Sequence, residues 1–241
     1  MVDPDGRAVP GAISPSQDLF VNSWDVYRKM VDNDYLSHRG AYAALRSVLL
    51  ERGSPFSFID VACGDAGMSV QALAGTPVRE YVGIDISQDA ISRARAALPA
   101  LGCTHRFCLG DFRELLSGWS SDADVVWIGL SLHHLALEEK GKVMSAVRRI
   151  LQPAGHFLVY DESCLENETR SDWLARWDAQ ESSWSAYTPE EWRYVCSHVH
   201  GSDFPESEPT WRKLGKDSGF SRFSKLYESS SNLFSLYCFQ P

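Results

Sequence analysis

The chain has 241 residues, of which 44% are hydrophobic and 23% are charged, as in an ordinary soluble globular protein with a sizeable core. No apolar run approaches the roughly 20 residues that a membrane span requires. The net charge of −9 argues against tight binding to nucleic acid, so we expect a chain whose partners are neither nucleic acids nor membranes.

The chain begins with a segment that lacks the basic and apolar pattern of a signal peptide, and we expect residues 1–18 to form a flexible tail. Apolar residues at near-helical spacing then predict two helices, Ser16–Val31 and Ser37–Arg52, before the stop at Gly53. We interpret residues 1–54 as a tail and an N-terminal helical cap. The sequence predicts a second unit, residues 55–241, which contains the main domain.

The segment FSFIDVACGDAGMSVQAL is the most informative part of this domain. It predicts a buried strand, Phe56–Val61, then a turn of small residues, Ala62–Gly67, and a helix, Met68–Ala74. Asp60 lies at the end of the strand. Such a turn lets the backbone approach a nucleoside cofactor closely and directs a helix N-terminus at its anionic end. The next strand, in VGIDIS, ends in Asp85, which is placed to accept hydrogen bonds from a ribose.

Strands and helices alternate from Phe56 onwards, which predicts a parallel sheet covered on both faces. The predicted strands are Phe56–Val61, Tyr81–Asp85, His105–Leu109, Val125–Leu130 and His156–Tyr160. The predicted helices are Met68–Ala74, Gln88–Leu98 and Leu137–Leu151. Pro153, Ala154 and Gly155 predict a turn before the fifth strand.

The segment 163–209 interrupts this alternation and contains four of the eight tryptophans. We interpret it as a lid inserted after the fifth strand, with a helix over Pro189–Val199 that begins in a capping box. A helix over Thr210–Ser218 and two strands, Phe220–Tyr227 and Leu233–Phe239, then close the chain as an antiparallel hairpin.

Polar residues follow the carboxyl ends of all five strands, which is where open parallel sheets bind their ligands. Asp60 and Asp85 follow the first two strands, and Asp111 with Phe112 follows the third. The fourth strand is followed by a pair of histidines, and the fifth by Asp161 and Glu162. In chain order, the residues at this edge are Asp60, Asp85, Asp111, Phe112, His133, His134, Asp161 and Glu162.

The motifs DVACGDAG, VGIDIS, GDF, the HHL after the fourth strand and ILQPAGHFLV resemble those of the class I S-adenosylmethionine-dependent methyltransferases, over residues 56–160. The resemblance implies a Rossmann-like α/β fold with seven strands, mostly parallel, of which the last is antiparallel. It also implies S-adenosylmethionine as the cofactor. Alanines at 62 and 66 replace the usual glycines of the turn. Nothing like the Asn/Asp-Pro-Pro-Tyr motif of amino-group methylases follows the fourth strand.

The resemblance implies that Asp60 and the small-residue turn hold the methionine end of the cofactor, and that Asp85 takes the ribose hydroxyls. Asp111 would accept the adenine amino group while Phe112 packs on the ring; the alternative is a simple helix cap. Tyr27 and His38 are expected to close the other side. The expected cofactor-binding residues are Tyr27, His38, Asp60, Ala62, Cys63, Gly64, Gly67, Asp85, Ile86, Asp111, Phe112 and Leu130.

His133 and His134 are the candidate catalytic residues, because a histidine can take the proton of a hydroxyl, carboxyl or amine acceptor. The alternative is a structural pair bonded to loop backbone. Asp161 is expected to bind the substrate or to cap the insertion. Trp184 and Tyr187 are expected to bind a flat or cationic small molecule from the lid, although packing explains such aromatic residues equally well.

We expect methyl transfer to a small-molecule acceptor, with oxygen favoured over nitrogen. Two alternatives stay open: a nicotinamide-dependent oxidoreductase, and a non-catalytic cofactor-binding domain. No metal site is expected, because His198 and His200 have no partner ligands at useful spacing. The six cysteines lack paired spacing and indicate a reducing, cytoplasmic setting. The sequence is compatible with a monomer or a homodimer.

Overall fold

The computed structural model describes residues 24–241 of the chain. The expected tail and the first half of the helix predicted over Ser16–Val31 lie outside the described residues. The second half of that helix is α1, Trp24–Asp32, and the next predicted helix is α2, His38–Glu51. The apolar stripe of α2 explains its position, because Ala41, Leu45 and Leu49 are completely buried.

The described residues contain eight strands: β1 Phe56–Val61, β2 Val78–Asp85, β3 Thr104–Leu109, β4 Ala123–Gly129, β5 Leu151–Cys164, β6 Glu206–Ser207, β7 Arg222–Glu228 and β8 Phe234–Gln240. Seven of them form one continuous sheet in the order β3-β2-β1-β4-β5-β8-β7. The first five are parallel, whereas β8 runs antiparallel to both β5 and β7. This architecture confirms the predicted fold class, and the short β6, which pairs with β5, adds a strand that was not predicted.

Helices cover both faces of the sheet and divide the core into two hydrophobic clusters. The remaining helices are α3 Gly67–Leu73, α4 Gln88–Ala97, α5 Phe112–Ser117, α6 Leu137–Ile150, α7 Arg170–Asp178, α8 Pro189–Ser202 and α9 Glu208–Asp217. Alternate residues of β1 serve the two clusters: Phe58 faces α2, α3, α4, α7 and α8, whereas Ile59 faces α5, α6 and α9. Among residues 24–241, no helix has both the length and the apolar character needed to cross a membrane.

The predicted turn at Pro153, Ala154 and Gly155 is wrong, because these residues lie inside β5. Ala123 pairs with Leu151 and Val125 pairs with His156, so the residues between Leu151 and His156 bulge out opposite a single residue of β4. At its other end β5 continues past Tyr160 to Cys164. It does so because the antiparallel β8 and the short β6 supply hydrogen-bonding partners after β4 has ended.

The insertion packs into the same core as the sheet. Its four tryptophans are all buried: Trp173, Trp177, Trp184 and Trp192. They belong to the hydrophobic cluster that also contains Phe58 of β1. Helix α7 was not predicted, although a capping box at Thr169 starts it. Helix α5 was also not predicted. The helix expected over Pro189–Val199 is confirmed and extends to Ser202 as α8.

Candidate active site

A cavity of about 490 Å³ lies at the carboxyl ends of the parallel strands. Its wall combines the loops after β1 to β4 with residues of α1, α2, β5, α7 and α8. All the residues expected to bind the cofactor, and both candidate catalytic histidines, lie on this wall. They are Tyr27, His38, Asp60, Ala62, Cys63, Gly64, Gly67, Asp85, Ile86, Asp111, Phe112, Leu130, His133 and His134. The fold therefore brings these side chains together, while their individual roles stay predictions.

The turn after β1 keeps a glycine-like shape although two of its residues are alanines. Ala62 and Ala66 both have φ 56°, and Gly64 between them has φ 54°. The left-handed region is costly for residues with a Cβ, by roughly 1–2 kcal/mol each. A Cβ built on Gly64 would meet no atom within 4 Å, so the turn leaves open space beside its backbone. This space faces the cavity.

Asp60 is the most deeply buried acid in this part of the wall, with 2% of its surface exposed. Tyr81 donates a hydrogen bond to Asp60 Oδ2 at 2.7 Å. Burial raises the pKa of Asp60 to about 6, since the charged carboxylate loses its hydration. Because burial destabilises the charged carboxylate, a cationic ligand such as an ammonium group would stabilise it strongly.

Asp85 is oriented by the backbone on either side of it. The N–H of Gly64 donates to Oδ2 and the N–H of Ser87 donates to Oδ1, both at 2.8 Å. Burial raises the pKa of Asp85, although these backbone hydrogen bonds oppose the shift. Each carboxylate oxygen has two lone pairs, so both can still accept a hydroxyl donor from the cavity.

Asp111 is the N-cap of α5, and its carboxylate accepts hydrogen bonds from the backbone and the side chain of Arg113. These bonds lower its pKa even though partial burial acts in the opposite direction. The structure therefore contains the helix cap that the sequence offered as the alternative. An adenine contact would have to compete with Arg113 for the same oxygens. Phe112 lies beside it on the cavity wall and is available for packing.

Aromatic side chains form the inner end of the cavity. Tyr42 lies 5.0 Å from Trp127 between ring centroids, and both line the space together with Tyr160. His38 is buried among them, and burial lowers its pKa to about 4, so this ring is neutral at physiological pH. Burial likewise raises the pKa of the Tyr27 hydroxyl. This end of the cavity is built for a flat or apolar group.

The other inner wall carries a group of titratable side chains, which we call the histidine–carboxylate cluster. Its members are His133, His134, Glu162, His198 and Asp203. His133 and His134 lie in a 3₁₀ turn that follows β4, with ring centroids 4.0 Å apart. Asp203 faces them from the end of α8: its Oδ1 lies 2.9 Å from His134 Nδ1 and 3.8 Å from His133 Nε2.

Asp161 lies behind His133 and fixes its orientation. One carboxylate oxygen makes a short contact with His133 Nδ1, and the other accepts the backbone N–H of His133 at 3.1 Å. Burial disfavours the charged ring, but the carboxylates of Glu162, Asp161 and Asp203 outweigh it and raise the pKa of His133 to about 10. Burial and the neighbouring His133 lower the pKa of His134. Burial and Asp203 raise the pKa of Glu162.

The three residues expected to bind substrate do not line this cavity. Asp161 lies inside β5, where side chains alternate, so its neighbours Tyr160 and Glu162 reach the cavity and Asp161 does not. Trp184 stacks on Tyr35 with ring centroids 4.9 Å apart. Tyr187 donates a hydrogen bond to the carbonyl of Val26. The two aromatic residues attach the insertion to the N-terminal segment, and their role in binding substrate stays a prediction.

Two wall residues of evident chemical interest were not singled out by the sequence as binding or catalytic residues: His198 and Asp203. Glu162 was grouped with Asp161, and only the strand alternation distinguishes the two. His198 and Asp203 belong to the end of the insertion, far along the chain from the histidine pair. A backbone hydrogen bond from Phe204 N–H to the carbonyl of His133 brings them there. No local sequence pattern predicts a contact between residues so far apart in the chain.

Residues 58–155 match the family model described as a methyltransferase domain. A search of curated protein sequences gives no match. The match covers β1 to the bulge of β5 and thus the strands whose ends form the cavity.

Several solved methyltransferase structures share the fold. SibL, an S-adenosylmethionine-dependent methyltransferase, has a TM-score of 0.65 and 16% identity over 96% of this chain. Magnesium protoporphyrin IX methyltransferase from Synechocystis PCC 6803, with bound SAH, has a TM-score of 0.64 and 14% identity over 94% of this chain and 98% of its own. The plantazolicin methyltransferase BpumL, also with SAH, has a TM-score of 0.65 and 16% identity over 94% of each chain. This chain spans 59% of the length of SibL.

Proposed function

Because this chain carries a methyltransferase domain at residues 58–155, we propose that it transfers the methyl group of S-adenosylmethionine to a small-molecule acceptor. One observation carries the proposal: the carboxylates of Asp60 and Asp85 and the small-residue turn between them line a single cavity. Such a wall is complementary to a ligand that has an ammonium group, ribose hydroxyls and a close-lying carboxylate. The oxidoreductase alternative gains no support from the family match.

The residues present fit this cofactor. Asp60 offers a buried carboxylate for the ammonium group, and pairing with a cation would offset the cost of its burial. Asp85 would accept the ribose hydroxyls, since the Gly64 and Ser87 amides already hold it in place. Phe112 and Ile86 line the same cavity as Asp85 and would contact the adenine.

S-adenosylmethionine supplies a methyl group on a positively charged sulfur, which is already activated for attack. The chain therefore has to align the acceptor, exclude water and receive a proton where the acceptor carries one. The aromatic inner end, with Tyr42 and Trp127, would hold a flat or apolar acceptor against the methyl group. Acceptors of this kind include those named for the structural relatives, such as a porphyrin.

We favour an oxygen acceptor, because the histidine pair lies on the wall of the same cavity. Nε2 of His134 is buried, and among residues 24–241 it has no hydrogen-bond partner. His133 is held by Asp161 on one side and faces Asp203 on the other, so it acts as a positioning residue in this proposal. Methylation of a small amine is the second candidate, since the carboxylates of Glu162 and Asp203 would attract a cationic acceptor.

Replacement of Asp85 by alanine tests the cofactor site. A ligand that binds the folded state stabilises it. We therefore expect S-adenosylhomocysteine to raise the melting temperature of the wild type, whereas NAD should leave it unchanged. Asp85→Ala removes charge-assisted hydrogen bonds of about 1.5–3 kcal/mol, so affinity measured by calorimetry should fall roughly 10- to 100-fold. Asp217→Ala, an exposed acid on α9, is the control and should bind normally. Absence of any response to the adenosyl compounds would overturn the proposal.

A further inference from the structure

The histidine–carboxylate cluster has more ligand atoms than methyl transfer needs. Three imidazole nitrogens surround Asp203 Oδ1: Nδ1 of His134 at 2.9 Å, Nε2 of His133 at 3.8 Å and Nε2 of His198 at 3.9 Å. The ligand atoms offered by His133, His134 and Asp203 all lie within 4.8 Å of one another. We propose that this cluster binds a divalent transition-metal ion on the wall of the cavity.

The spacing suits such an ion. A metal that bonds nitrogen and oxygen at about 2.0–2.2 Å can hold two ligands up to about 4.2 Å apart. The three separations from Asp203 Oδ1 fall within that limit. Imidazole nitrogens with one carboxylate favour zinc, iron or nickel over magnesium or calcium, which prefer oxygen.

Two polar atoms of the cluster point to a missing partner. Glu162 and Asp203 are 3% and 1% exposed, and both line the cavity. Within the described part of the chain, Glu162 Oε2 has no hydrogen-bond partner, and Asp203 Oδ1 is approached only by imidazole nitrogens. Buried oxygens left without a donor are costly. A cation at this position would give both carboxylates a bonding partner.

Asp161 provides the outer support that metal-bound histidines usually have. Its contact with His133 Nδ1 leaves Nε2 of that ring directed at the cluster. A carboxylate behind a ligating imidazole fixes the ring and strengthens it as a ligand. This gives the buried Asp161 a role that neither substrate binding nor helix capping supplied.

Backbone contacts hold the segment of Asp203 against the histidine pair. Phe204 N–H donates to the carbonyl of His133 at 2.8 Å, and Arg170 Nε donates to the carbonyl of Asp203 at 2.8 Å. The fully buried Lys140 donates to the carbonyl of Phe204 and pairs with Glu206. Ligands from two distant parts of the chain are thus positioned by contacts that do not involve the ligand atoms.

The ion would leave at least one coordination position open, because the cluster lies on the cavity wall. An oxygen of the acceptor could fill that position and be held toward the cofactor, and its hydroxyl proton would leave to solvent more readily. This role of the ion in catalysis rests on the proposed methyl transfer. The binding of the ion by the cluster does not depend on that proposal.

Zinc binding tests the proposal directly. Untagged full-length protein is treated with chelator, exchanged into metal-free buffer and titrated with Zn²⁺ by calorimetry, and with Co²⁺ by visible absorption. We expect one ion per chain and the absorption bands of cobalt bound to nitrogen and oxygen. Asp203→Ala and His198→Ala should each weaken Zn²⁺ binding at least 10-fold, and Asp161→Asn about 10- to 100-fold.

The matched control is His200→Ala, which removes an exposed histidine of the same helix that pairs with Asp178 instead of the cluster. It should bind Zn²⁺ like the wild type. Because Asp203→Ala can fail to fold, His198→Ala is read separately, with circular dichroism as the folding check. The proposal is overturned if the wild type binds no Zn²⁺, or if both variants bind it normally. Binding of S-adenosylhomocysteine is measured in parallel, so a failed metal site does not count against the cofactor site.

Discussion

In the proposed function Asp60 favours cofactor binding, whereas its burial opposes folding. Its carboxylate is 2% exposed, and burial raises its pKa from 3.8 to about 6. The folded state therefore holds the proton more tightly than the unfolded state, so this group contributes full stability below about pH 4. That contribution is lost as the pH rises through 6. Above that pH the charged side chain costs at most about 3 kcal/mol.

Replacement of Asp60 by asparagine should reverse this balance. The amide keeps an acceptor for the Tyr81 hydroxyl but carries no charge, so Asp60→Asn should melt at a higher temperature than the wild type. The difference should widen from pH 5 to pH 7 and stay constant above. Affinity for S-adenosylhomocysteine should fall. Thermal unfolding across this pH range measures the first effect, with the exposed Asp122→Asn as the control. A variant less stable than the wild type at pH 8 would contradict the explanation.

Residues of the cavity wall differ in how well the sequence alone predicts them. Asp60, Asp85 and Phe112 lie at or shortly after the carboxyl ends of parallel strands. Parallel strands present these ends at one edge of the sheet, so the meeting of the three residues is a local consequence of the pattern. His198 and Asp203 reach the same wall only through long-range packing. The burial of Trp184 away from the cavity has the same origin, since an aromatic residue in an insertion packs inward or outward according to neighbours that the sequence does not reveal.

The insertion, considered as an element, is part of the core. Trp184 stacks on Tyr35, and its ring lies edge-on to Trp177 and to Trp192 at 5.1 and 5.5 Å between centroids. Lys29 of α1 pairs with Glu191 of α8 at 2.7 Å. The N-terminal helix and the insertion therefore stabilise each other next to the cavity.

Trp184→Ala should lower the free energy of unfolding by about 3–5 kcal/mol, the usual cost of removing a buried aromatic ring. Chemical denaturation measures the loss. Trp119→Ala is the comparison, because this ring is only partly buried and lies beneath Arg106 outside the insertion. The decrease in the free energy of unfolding should be clearly smaller for Trp119→Ala than for Trp184→Ala. Equal losses in the two variants would show that the insertion is less important to the core than its packing indicates.

The helices and strands that the sequence predicts correctly are those with long apolar patterns, such as α2, α6 and β1. Helix α5 escaped prediction because it has six residues and begins in a Gly-Asp-Phe segment that resembles a loop. The bulge in β5 was mistaken for a turn because proline and glycine, here Pro153 and Gly155, occur both in bulges inside a strand and in turns that end a strand. Only the pairing with β4 decides between the two.

The molecule as a whole should unfold in one step. One hydrophobic cluster runs from Leu45 of α2 through Phe58 and Trp127 of the sheet to Trp177 and Val195 of the insertion. Local opening of the insertion would therefore expose the core of the sheet. Tryptophan fluorescence and far-ultraviolet circular dichroism should give coincident thermal transitions. S-adenosylhomocysteine should shift both equally, and an earlier fluorescence transition would indicate an insertion that opens by itself.

The alanines in the turn after β1 affect recognition as well as folding. Glycine at positions 62 and 66 would let the chain sample many backbone arrangements, whereas alanine restricts it to far fewer. With φ 56° at both positions, Ala62 and Ala66 hold the turn in the shape that would receive the proposed cofactor. Little conformational entropy is then lost when a ligand binds, and preorganisation of this kind raises affinity without adding a contact. The two alanine methyl groups thus strain the backbone permanently, but they reduce the conformational entropy that is lost each time a ligand binds.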